Sequence, residues 1–117
     1  MAVLAQLTDD VVIHKFELNP PQVTLGRHPS SHIQIDEASI SSSHAAISLA
    51  PNQHFPQFLE AYIEDLSSTN GTFINEQAVI GRQRLHNNDI IRLGWNKFKF
   101  IDDLEAELEK TVHMLPS

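Results

Sequence analysis

At 117 residues the chain is sized for one domain, and a compact fold of that size buries roughly two thirds of the surface its unfolded chain exposes. Eight lysines and arginines against fifteen acidic residues leave a net charge of −7. That excludes the basic face a nucleic-acid backbone requires, although one localised phosphate site is compatible with it, since screening limits distant charges to a reach of about 10 Å. With no cysteine there is no disulfide or thiol chemistry, and the simplest expected location is the cytoplasm.

The start, MAVLAQLTDD, has no basic leader, and no apolar run approaches the roughly 18 residues of a membrane-spanning helix. A mature, soluble chain without a membrane partner is expected. Residues 2–7 and Val11 to Leu18 flank Thr8-Asp9-Asp10 and read as an N-terminal hairpin, with Val12, Phe16 and Leu18 on one face at strand period. Asn19-Pro20-Pro21 ends it, because proline has no N–H for a ladder. Short strands follow at Gln22 to Leu25, His32 to Ile35 and Ala45 to Ala50, and Pro51 to Phe58 reads as an irregular loop. Leu59 to Leu66 returns to strand, Ser67 to Gly71 is dense in turn formers, and Thr72 to Asn75 is a further strand. DIIRLG and KFKFI, separated by Gly94-Trp95-Asn96, read as a closing hairpin. In the last segment Leu104, Leu108, Val112 and Leu115 lie about one helical turn apart, and Asp102 with Glu105 has capping-box spacing. A C-terminal helix over residues 103–117 is expected, beside a domain over residues 1–102 that reads as a β-sandwich of many short strands.

The stretch Leu25 to Leu49, LGRHPSSHIQIDEASISSSHAAISL, holds the residues best suited to binding. A phosphoryl group carries nearly two negative charges and three acceptor oxygens, so its receptor needs a cation and short donors converging from separate directions. Arg27 offers a planar cationic fork, Ser41 and Ser42 offer hydroxyls, and Thr69 offers a hydroxyl or its backbone N–H. Gly26 lets the chain turn before Arg27, and Asn70-Gly71 forms a tight turn that exposes the Asn70 amide. Composition and spacing leave the plainer alternative open, since Ser, Thr, Asn and Gly in loops are usually turn chemistry alone.

Four blocks in order, Gly26-Arg27, Ser41-Ser42-Ser43-His44, DLSSTNGTFIN from Asp65 to Asn75 and NDIIRLG from Asn88 to Gly94, resemble the forkhead-associated (FHA) domain over about Thr24 to Ile101. The resemblance implies an all-β sandwich of about eleven short, mostly antiparallel strands whose loops at one end bind a phosphothreonine-containing protein or peptide. It implies that Arg27 and Ser41 hold the phosphate, that Ser42 and Thr69 add donors, and that Asn70 binds the peptide backbone. Gly26, His44 and Gly71 become architectural, the imidazole bracing the serine loop. Some departures from the family pattern matter. Ser42 is shorter than the usual Asn, Arg or Lys. Ser39 stands where some members carry an arginine that reads an acidic residue after the phosphothreonine. Glu76 and Asn88 replace turn glycines, and asparagine tolerates positive φ.

Catalysis has little support. His28 and His32 are split by Pro29, no other histidine pair has ligand spacing with a third ligand close by, there is no Gly-x-Ser-x-Gly, and four glycines cannot supply a nucleotide-cradling loop. No metal or cofactor is expected. The different-class alternative is a phosphate-independent interaction or dimerisation module using the sandwich face or the C-terminal segment, which makes the expected state a monomer or weak homodimer.

Overall fold

The computed structural model describes residues 2–103. Eleven strands succeed one another: β1 (Ala2–Thr8), β2 (Val11–Glu17), β3 (Gln22–Gly26), β4 (Ile33–Gln34), β5 (Ala45–Pro51), β6 (Leu59–Asp65), β7 (Thr72–Ile74), β8 (Gln77–Ala78), β9 (Arg82–Leu85), β10 (Ile90–Leu93) and β11 (Asn96–Asp102). They form a six-stranded sheet in the order β2-β1-β11-β10-β7-β8 and a five-stranded sheet in the order β4-β3-β5-β6-β9. Every pairing is antiparallel except β3 with β4.

Alternation along the strands builds the core between the two sheets. Leu4, Ile91, Leu93, Phe98 and Phe100 point inward from one sheet, and Val23, Leu25, Ile47, Leu49, Ile63 and Leu85 from the other, all buried. Two tight turns take consecutive positive φ angles, the type I′ pattern whose twist suits a hairpin. Asp9 and Asp10 (51° and 63°) join β1 to β2, and Asn75 and Glu76 (50° and 65°) join β7 to β8. Asn88, in place of a turn glycine, also sits at positive φ, 76°.

Three expectations are corrected. The expected fold paired a sandwich with a C-terminal helix, but the described residues form the sandwich alone with no helical element. Asp102, read as a helix cap, completes β11 and is buried. The rest of that segment, residues 104–117 with Leu104, Leu108, Val112 and Leu115, lies outside the described residues. Val12 does not share the inward face of Phe16 and Leu18. The β1–β2 register shifts at Gln6/Leu7, and Val12 pairs with Leu7 and is 43% exposed. Its neighbours Val11 and Ile13 are exposed as well, because this half of the edge strand β2 lies clear of the core. Strands β8 and β9 went unread, because QA and RQRL carry no apolar alternation; β9 is a strand because it pairs with β6 from Ala61↔Leu85 to Glu64↔Arg82.

Of the four glycines, Gly26 at the end of β3 has the closest neighbour. A Cβ on Gly26 would stand 2.1 Å from the Ser42 carbonyl oxygen, so only glycine lets β3 pass against the serine loop. Gly26→Ala forces two backbones apart, and overpacking of this kind costs about 1–3 kcal/mol. The expected result is a urea midpoint lowered accordingly at unchanged slope; an unshifted midpoint contradicts this packing.

Candidate functional site

The loops at one end of the sandwich are joined by side-chain and backbone hydrogen bonds outside the strand ladders. After β6 the chain turns around Asp65, whose carboxylate accepts the Ser68 hydroxyl (2.5 Å), the Ser68 N–H (3.1 Å) and the Thr72 hydroxyl (2.6 Å). Ser68 Oγ in turn accepts the Gly71 N–H at 3.0 Å, and Gly71 takes φ +83°. Burial opposes ionisation of Asp65, but the hydrogen bonds from Ser68 and Thr72 prevail and hold its carboxyl below the ordinary value of 3.8.

His44 connects this turn to the serine loop. Its ring is fully buried; Nδ1 accepts the Ser41 N–H at 3.1 Å, and Nε2 lies 2.9 Å from the Gly71 carbonyl. An amide N–H can only donate and a carbonyl can only accept, so the proton sits on Nε2 and the ring bridges the loops in one tautomer. The Gly71 carbonyl also accepts the Gly94 N–H at 3.1 Å, which ties in the β10–β11 turn.

Around this bridge the structure brings together most of the residues singled out in the sequence. Arg27 is exposed and its backbone N–H donates to the Ser41 carbonyl at 2.9 Å. Among the described residues its guanidinium makes no ion pair or hydrogen bond. Ser41 Oγ accepts the Thr69 N–H at 3.0 Å, so the serine hydroxyl and the threonine amide are adjacent although 28 residues apart in the chain. The Asn70 side chain donates to the Ser39 carbonyl at 2.9 Å, and the residue is exposed. Ser42 joins the group through its backbone only, accepting the His28 N–H at 3.2 Å, and its side chain is exposed. Among the described residues no His, Asp and Glu cluster is placed to hold a metal, and no helix is long and apolar enough to cross a membrane.

Two residues that hold the site were not assigned that work by their sequence context. Asp65 had a usable signal, since an acidic residue three before a serine is a local side-chain-to-backbone turn pattern. Ser39 had none. Its Oγ accepts the Trp95 N–H and the Asn96 amide, both at 3.2 Å, partners 56 and 57 residues away.

A sandwich of this topology with buried His44 clamping two polar loops defines a class of interaction module, and the comparisons identify it. The FHA domain family model matches residues 23–94, and the chain belongs to the FHA domain family. It is 32% identical over 87 residues to the glycogen accumulation regulator GarA of Mycolicibacterium smegmatis, covering 74% of this chain and 49% of that protein. It is equally identical over 87 residues to the oxoglutarate dehydrogenase inhibitor of Corynebacterium efficiens, covering 74% of this chain and 54% of that one. The chain thus spans about half the length of these curated relatives. A solved FHA structure from work on phosphothreonine-dependent FHA domain interactions superposes with a TM-score of 0.72 at 26% identity, covering 86% of this chain and 95% of that one.

The Asp65 turn has a pH signature. Its carboxyl binds a proton less tightly when folded than when unfolded, so its contribution to stability is complete above the ordinary value of 3.8 and is lost as pH falls through the lower folded value. Urea midpoints measured down this range should fall in the wild type and fall less steeply in Asp65→Asn. An identical acid limb in both proteins rules out Asp65 as a source of it.

Proposed function

We propose that this FHA domain binds a phosphothreonine-containing protein or peptide and acts as a signalling adaptor or regulator. In this reading Arg27 and Ser41 hold the phosphate, Ser42 and Thr69 add donors, and Asn70 engages the peptide backbone. The observation that carries it is an exposed arginine without a partner among the described residues, on a loop whose backbone is tied to Ser41 while Ser41 Oγ meets the Thr69 amide. A lone guanidinium beside short hydroxyl and amide donors suits a dianionic phosphoryl group. Relatives named as a glycogen accumulation regulator and an oxoglutarate dehydrogenase inhibitor support a regulatory role. The role proposed is binding rather than catalysis, in the cytoplasm, by a monomer or weak homodimer. Gly26, His44 and Gly71 serve as its scaffold.

Two to four charge-assisted hydrogen bonds at about 1.5–3 kcal/mol each, set against several kcal/mol of association cost, suit dissociation constants near the micromolar range, about −8 kcal/mol. Such affinity fits reversible signalling. Titration of a phosphothreonine peptide library against the unphosphorylated counterparts should show binding only to the former. Arg27→Ala and Ser41→Ala should each weaken it by about ten-fold or more, the loss of one charge-assisted contact. Equal binding of both peptide forms, or variants with unchanged affinity, would overturn the reading.

A further inference from the structure

The β10–β11 turn, whose backbone is bonded to this site's loops, carries a large apolar side chain. The Trp95 indole is 76% exposed, yet the backbone beneath it is held from several sides. Arg92 Nη1 donates to the Gly94 carbonyl at 2.6 Å, the Gly94 N–H to the Gly71 carbonyl, and the Trp95 N–H to Ser39 Oγ. Gly94, at φ +58°, lies so close to Ser39 that a Cβ would stand 2.6 Å from its carbonyl oxygen. That carbonyl is the acceptor of the Asn70 side chain. One residue, Ser39, therefore binds both the Asn70 side chain and the backbone of the Trp95 turn, which ties that turn to the group proposed to hold the peptide backbone.

The charge around the indole is unequal. Trp95 shares a surface depression with Leu7, Thr8, Asp9, Asp10, Asn96 and Lys97, and the Leu7↔Lys97 pairing brings the β1–β2 turn alongside. Two carboxylates face one ammonium there. Among the described residues neither Asp9 nor Asp10 forms an ion pair. Arg92, the nearest guanidinium, is 5.9 Å from the indole centroid but is engaged with Phe73 at 4.0 Å and with Glu76, so most of the ring stays open to an incoming group.

We propose that Trp95, backed by Asp9 and Asp10, forms a subsite that takes a lysine or arginine side chain flanking the phosphothreonine. This rests on the phosphothreonine reading of Arg27 and Ser41 and assigns a sequence preference to the same site. The long stem of a basic residue lies over the indole face, its cation is drawn by the ring quadrupole, and the carboxylates complement its charge. Acidic residues in the depression disfavour an acidic flank, which makes the preference two-sided.

The test uses the full chain and phosphothreonine peptides in which each flanking position in turn carries lysine, norleucine or glutamate. At one flanking position lysine should bind about two- to five-fold tighter than norleucine, as expected for a cation over an exposed ring, with glutamate weakest. Trp95→Ala, and separately Asp9→Asn with Asp10→Asn, should erase that preference while Arg27-dependent binding of the phosphate persists. Trp95 is the single tryptophan of the chain, so its own emission reports contact without any substitution and should change more with the lysine peptide than with the norleucine one. No position favouring lysine, a preference that survives Trp95→Ala, or emission indifferent to the flanking residue would overturn the subsite while leaving the phosphothreonine reading intact. Loss of phosphate dependence altogether would overturn both.

Discussion

The loops at one end of the sandwich depend on one buried imidazole. His44 accepts an amide from Ser41 on one side and donates to the Gly71 carbonyl on the other, joining segments 27 residues apart with no strand pairing between them. Polar groups inside a protein are costly when unpaired, so a ring that satisfies both its nitrogens also fixes the loops that supply the partners. The Ser41 backbone N–H is thus held from within, while its hydroxyl accepts the Thr69 N–H.

The same economy of partners runs through the neighbouring contacts. The Gly71 carbonyl serves both His44 and Gly94, and Ser39 serves Asn70 through its carbonyl and Trp95 and Asn96 through its hydroxyl. Close approach is possible because glycine stands where backbones nearly touch, at Gly26 against Ser42 and Gly94 against Ser39. The loops are thereby tied to one another at several points by hydrogen bonds. Arg27, Ser42, Thr69 and Trp95 remain exposed on these loops.

Membership of the FHA family accounts for the sandwich and the loop framework, while departures within the motifs give this chain its own surface. Ser39 is one. As a small hydroxyl residue it binds the Trp95 turn from beneath, a contact a longer side chain would not make in the same way. Glu76 is another: at φ +65° it occupies a turn position that favours glycine, and its carboxylate holds Arg92 at 3.1 Å. Arg92 then lies over Phe73 and donates to the Gly94 carbonyl. A backbone conformation unfavourable to glutamate is retained alongside a side-chain contact that supports the same rim.

By itself the sequence determined the class of fold and pointed to the residues proposed to bind. Alternation in KFKFI and DIIRLG set the inward faces of β10 and β11, Asn19-Pro20-Pro21 and Asn70-Gly71 marked chain reversals, and four spaced blocks pointed to one family. These are local signals, written in side-chain period and turn chemistry. Tertiary structure alone decided the rest. It made polar RQRL a strand through pairing with β6, left Val12 exposed on the edge strand β2, and placed Asp102 within β11. It also brought Ser41 to Thr69 and Ser39 to Asn70 and Trp95, contacts across 28 to 56 residues. Hydrogen bonds between distant loops leave no period in the chain, because their geometry exists only once both sheets have packed.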